Sequence, residues 1–152
     1  MAYEVIVEQV EARPLAAVRV AVPVGQVGGV WRPALDKVWS FLRTHDGLRT
    51  DGHNTFVYRH SVKPGLLEVD FGVEVSRAFT GEGEIVLAYT PAGVAARTVH
   101  VGAPGDLVRA YGAIEAWCGA NHRPLAGVSW EIYGDPGSDP RGLEVRVYSL
   151  LA

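Results

Sequence analysis

The sequence predicts an α+β protein, a single domain over 1–152 made of duplicated strand-strand-helix-strand-strand halves. Each half is expected to be an antiparallel sheet carrying one helix, and the halves to be related by a pseudo-two-fold around a central groove. Three observations lead there. Gly52-His-Asn-Thr-Phe-Val-Tyr58 lines up with Gly127-Val-Ser-Trp-Glu-Ile-Tyr133, each after a helix-like stretch that holds a Trp, Trp39 or Trp117. Apolar residues recur at period two on both sides of each such stretch and at spacings of three and four within it. The order of these patterns is the same in a first repeat of about 3–76 and a second of about 83–152. Two copies are too few for a solenoid, so the repeat points to duplication inside one domain.

The elements follow in order. Residues 3–11 alternate Tyr3, Val5 and Val7 against Glu4, Ile6 and Glu8, the pattern of a half-buried strand. Arg13-Pro14 turns the chain, and the Val- and Ala-rich run 15–22 is expected to return as the second arm of a hairpin, although so short an apolar run also fits a buried helix. Gly25, Gly28 and Gly29 end it. Trp31, Leu35, Val38, Trp39 and Leu42 then mark a helix with Pro33 in its first turn. Thr55 to Arg59 is a third strand, and Leu66 to Val75 a fourth, alternating Val69, Phe71, Val73 and Val75 against Asp70, Gly72 and Glu74. In the second half, strands 84–89 and 94–101 flank Thr90-Pro91-Ala92-Gly93, read as the turn of another hairpin. A helix opened by Pro104-Gly105-Asp106 has the face Leu107, Val108, Tyr111, Ile114 and Trp117. Strands 128–133 and 143–150 close the chain, with Gly134 to Pro140 a loop by composition.

Composition excludes several functions. With 152 residues, 48% hydrophobic and 20% charged, the chain can bury a core of its own. A net charge of −3, with the 14 Lys and Arg residues scattered, gives no footprint for direct nucleic-acid binding. Cys118 is the single cysteine, so neither an internal disulfide nor a cysteine-based zinc site can form within one chain. Cysteine usage, with no signal-peptide pattern and no apolar run of membrane-spanning length, points to a cytoplasmic protein away from membranes. The five His residues show no metal-ligand spacing, and no metal or cofactor is expected; most of them are read as loop or surface residues. Gly25 to Gly29 lacks the phosphate-loop patterns, Ser129 has no nucleophile elbow, and Cys118 reads as packing. Trp39 and Trp117 read as core anchors. Strand edges at the hairpins could pair across a homodimer, and the low charge of strand 15–22 favours such pairing.

The candidate site comes from the one clear departure in the repeat: where the first copy has Phe56, the second has Glu131. Alternation on a strand puts Ser129, Glu131 and Tyr133 on one face and Trp130 and Ile132 on the other. The first is read as groove and the second as core. Asn54, Phe56, Tyr58 and His60 form the matching set, so aromatic walls and one carboxylate would suit a flat hydrophobic cation, with cation-π contacts of about 0.5–2 kcal/mol each. Desolvation is expected to raise the Glu131 pKa, so that a cation is drawn in as the acid ionises. A plainer arrangement uses the same residues, with Glu131 solvated and the aromatics in the core.

The element order, the duplication and above all Trp130-Glu131-Ile132-Tyr133-Gly134-Asp135-Pro136 resemble the GyrI-like small-molecule-binding domain, which also serves as the effector-binding domain of BmrR-type and some AraC-type regulators. The resemblance spans nearly the whole chain. It implies a cytoplasmic bacterial domain of multidrug-binding type, whose groove takes bulky, often cationic, aromatic compounds, with Glu131 as the ligand-facing acid. Glu131, Tyr133, Phe56 and Tyr58 are then the ligand-binding residues. No DNA-binding segment precedes residue 1, which suggests a stand-alone member. Binding without turnover is the first expectation. Some stand-alone members resemble hydrolases of reactive drug-like molecules, in which case Glu131 would be a general base assisted by Tyr133. A third expectation is an interaction domain similar to the family's gyrase-inhibiting members.

Overall fold

The computed structural model describes residues 3–50, 52–61, 63–135 and 142–152. Its elements are β1 (Ile6–Val10), β2 (Pro14–Pro23), α1 (Trp31–Arg43), β3 (Asn54–His60), β4 (Leu66–Glu74), β5 (Ile85–Tyr89), β6 (Gly93–Gly102), α2 (Leu107–Ala120), β7 (Leu125–Tyr133) and β8 (Leu143–Leu151). The fold is α+β with antiparallel pairing, as expected. The Gly134–Pro140 loop lies outside the described residues from Pro136 onward. Among the described residues no helix is long and apolar enough to cross a membrane.

The chain divides into two compact units, Ala12–Thr90 and Met1–Glu11 with Pro91–Ala152. In the first, the strand order is β3-β4-β2-β5, and in the second β7-β8-β6-β1. These orders correct the expected hairpins. β1 does not pair with β2 but with β6, from Ile6↔Arg97 to Val10↔Gly93. β5 does not pair with β6 but with β2, from Pro14↔Tyr89 to Val18↔Ile85. Alternation identifies the faces of a strand and is silent on its neighbour, and Pro14 has no N–H with which to close a tight reversal. The links between these strands bond to each other instead: Arg13 N donates to Thr90 Oγ1 at 2.9 Å, and Thr90 N donates to Arg13 O at 3.0 Å.

Strand β2 consequently lies between β4 and β5 and is no free edge. Its low charge, read above as a sign of dimer pairing, reflects burial of Leu15, Ala16, Ala17, Val18 and Val22 inside its own unit. On one face of this sheet Phe71 packs edge-to-face on Phe56 at 5.0 Å, beside the α1 residues Leu35, Val38 and Leu42. Alternation turns Asp70 to the other face, where it is fully buried rather than solvated. Arg19 holds it through Nε to Oδ1 at 2.6 Å, and Arg59 through Nη1 to Oδ2 at 2.8 Å. The bond to Asp70 is the main reason that the Arg19 pKa rises.

In the second unit α2 packs Ala110, Ile114 and Cys118, at spacings of four, against Ala96, Val145, Val147 and Leu151. Val108, assigned above to the buried helical face, is instead 73% exposed. Leu107, Tyr111 and Trp117 line the border of that core. In β7 the pairing shifts between Leu125 and Ser129, and Gly127 there takes φ 86° before regular pairing resumes from Ser129↔Ser149 to Tyr133↔Val145. A side chain at that φ strains the backbone, whereas exposed Gly112 in mid-helix costs only conformational entropy. Gly127→Ala should therefore destabilise the protein by about 1–2 kcal/mol, and Gly112→Ala should stabilise it by about 0.5–1 kcal/mol. Urea-unfolding midpoints of the two variants should move in opposite directions.

Candidate functional site

Regular pairing of β7 sets Glu131 opposite Val147, a residue of the core under α2. The carboxylate is therefore on the helix-covered face, and only 4% of the residue is exposed. At Glu131 the face read above as groove is covered by Tyr111 of α2, and the plainer arrangement with a solvated Glu131 does not occur. Trp130, on the other face, is also buried and stacks on its cross-strand partner Tyr148 at 4.9 Å with nearly parallel rings. Both faces of β7 are thus occupied.

Two phenols hold the carboxylate. Tyr133 OH donates to Glu131 Oε1 at 2.7 Å, and Tyr111 OH donates to Oε2 at 2.6 Å. Tyr133 reaches it as a same-face neighbour two residues along the strand. Tyr111 comes from α2. Bonds from a hydroxyl to a charged acceptor are short and strong, and each satisfies a polar group that would be costly to bury alone. Burial pushes the Tyr111 phenol well above its ordinary range, the nearby Glu131 charge and the hydrogen bond to it add to this, and Ser129 opposes it. Tyr133 is raised by burial first and Glu131 second. Both phenols stay neutral at ordinary pH.

Of the four residues singled out as ligand-binding, Glu131 and Tyr133 are brought together. Phe56 and Tyr58 stand on β3 in the Ala12–Thr90 unit. Phe56 is 5% exposed, with Trp31 at 6.3 Å in addition to Phe71, so its ring belongs to the core of that unit. Tyr58 is half-buried. Asn54 accepts a hydrogen bond from Trp39 Nε1 at 3.2 Å, which uses the polar edge of that anchor. Sequence reasoning missed Tyr111, which it placed on the core face of the helix without asking where its hydroxyl would go. That question was the available signal, because a buried Tyr usually finds an acceptor. His100 is an exception to the surface reading of the histidines: it is buried between Tyr3 OH at 2.8 Å and Ala103 O at 2.9 Å. No group of three or more potential metal ligands occurs among the described residues.

A model of the family described as the GyrI-like small molecule binding domain matches residues 3–148. The chain belongs to that family. Among solved structures, this GyrI-like domain is similar to the EcmrR C-terminal domain at 20% identity and a TM-score of 0.80, over 100% of this chain and 99% of that one. It is similar to SAV2435 bound to tetraphenylphosphonium at 10% identity and a TM-score of 0.70, over 100% and 94%. A hydrolase from Listeria innocua matches at 12% identity and a TM-score of 0.62, over 96% and 91%. Identities this low carry the fold alone. No curated protein matches the chain.

The raised phenols give a pH dependence with a definite sign. A folded-state pKa above the unfolded value of about 10 contributes stability that is whole below pH 10 and is lost as the pH rises toward the folded value, because the unfolded chain gives up the proton first. Stability should fall above pH 10, by at most about 1.4 kcal/mol per pH unit for each tyrosine. In the Tyr111→Phe/Tyr133→Phe variant that fall should be shallower, as judged from urea-unfolding curves at pH 8 and pH 11.

Proposed function

We propose that this GyrI-like domain binds a hydrophobic small molecule, cationic or drug-like and aromatic, and that Glu131 supplies the charge that recognises it. The observation that carries the reading is the buried carboxylate fixed by Tyr111 and Tyr133. A carboxylate in a low-dielectric setting attracts a cation more strongly than a solvated one, and a hydrophobic cation gives up little hydration on entering. Phenol rings beside it offer cation-π contact. Membership of a small-molecule-binding family and the tetraphenylphosphonium held by SAV2435 support the same class of ligand.

The geometry favours binding over hydrolysis. A general base must take a proton from water, whereas each oxygen of Glu131 already accepts from a tyrosine. In this reading Tyr111 and Tyr133 orient the charge and the ligand leaves unchanged.

A dye-displacement titration with tetraphenylphosphonium tests the reading. Micromolar binding by the wild type should weaken at least tenfold in Glu131→Gln, about 1.4 kcal/mol, with the ligand recovered intact. Equal affinity in the variant would remove Glu131 from recognition. Ligand altered by the wild type but not by the variant would make the protein an enzyme.

A further inference from the structure

A second place in the fold, inside the Ala12–Thr90 unit, has the composition of a ligand site that the Glu131 trio does not use. At the C-terminal end of α1, a cleft of about 390 Å3 opens between the 3-10 turn Asp46–Leu48 and the segment after β4. Phe41, His45 and Phe79 make a ring cluster there, with half-buried His45 stacked on buried Phe41 at 4.0 Å and half-buried Phe79 tilted against Phe41 at 5.4 Å. Both nitrogens of His45 are engaged, Nδ1 with Phe41 O at 2.8 Å and Nε2 with Glu82 at 3.3 Å, so the imidazole offers its ring rather than a free polar atom.

Two opposite charges stand beside this cluster. Arg77 and Asp46 are both exposed and both line the cleft. The Arg77 guanidinium lies against Gly47, the neighbour of Asp46, so closely that a Cβ there would be 3.1 Å from Nη2. Yet among the described residues neither charge has an ion pair, while the nearby Lys37 and Glu84 do pair. An aromatic wall with one unpaired cation and one unpaired anion beside it matches a ligand that carries the same three features.

We propose that this cleft binds a small aromatic zwitterion of the amino-acid type, with its ring on the Phe41–His45–Phe79 cluster, its carboxylate on Arg77 and its ammonium on Asp46. The guanidinium fork suits a carboxylate, whose two oxygens it can engage together. The volume lies near the lower end of the range of small-molecule sites, which runs from roughly 300 to 1,000 Å3. Exposure of both charged groups keeps each contact weak, so affinity depends on all three acting together.

Saturation-transfer NMR on the full chain, with L-phenylalanine, phenylacetate and phenethylamine as probes, tests the proposal. L-Phenylalanine should bind more tightly than either single-charge analogue, and Arg77→Gln and Asp46→Asn should each weaken it at least fivefold. Phenylacetate should be sensitive to Arg77→Gln alone and phenethylamine to Asp46→Asn. Gly47→Ala should weaken the zwitterion by displacing the guanidinium. Glu131→Gln should leave L-phenylalanine binding unchanged, which keeps this result independent of the site at β7. The proposal is overturned if L-phenylalanine does not bind, if phenylacetate binds more tightly than the zwitterion, or if binding survives both charge substitutions. Binding lost in Glu131→Gln alone would overturn it too.

Discussion

A carboxylate with 4% of its residue exposed, as Glu131 has, must be compensated where it stands, and the strand and helix around it are arranged to do so. Tyr133 follows from strand alternation, since any residue two positions on shares the face. Tyr111 follows from the packing of α2, whose Ala110, Ile114 and Cys118 fix the rotation of the helix on the sheet. Because the two phenols donate to different oxygens, the carboxylate is held from both sides. The packing of α2 on β6 and β8 that forms the apolar core of this unit thus also brings Tyr111 to Glu131 on β7.

Asp70 answers the same requirement in another way. It too is a buried acid on a sheet, but its compensation is charged, from Arg19 and Arg59, whereas the donors found for Glu131 are neutral phenols. Two guanidinium groups leave an acid locally neutralised or overcompensated. The phenols of Tyr111 and Tyr133 bring hydrogen bonds without a formal charge.

Much of this was legible in the amino-acid sequence. The ten elements came from periodicity together with turn residues and composition, with run 15–22 open between strand and helix, and the replacement of Phe56 by Glu131 between aligned repeats marked the acid that the structure buries. Pairing was not legible, because a strand such as Ile6–Val10 carries no mark of whether its partner is the next strand or β6, some ninety residues on. Burial of Asp70 was not legible, because alternation shows which residues share a face and not whether that face is covered. Tyr111 was found as a core residue and missed as a donor, because its ring and its hydroxyl serve different neighbours. Val108 was placed inside on hydrophobicity, which is a poor guide when a neighbouring residue fills the same arc of the helix.

The pairing of β1 with β6 bears on how the protein is made. Tyr3 bonds to His100, Thr98 bonds to the carbonyl of Glu4, and Ile6 lies opposite Arg97. β1 thus has no native partner until about ninety further residues have been synthesised, while β2, β4 and β5 can assemble within the interval. Long-range pairing of this kind is slow, and an unpaired edge is exposed meanwhile. β1 is an edge strand of the sheet that carries Glu131, outside β6. A change in β1 would be felt in the unit farther along the chain rather than in the one that follows it directly.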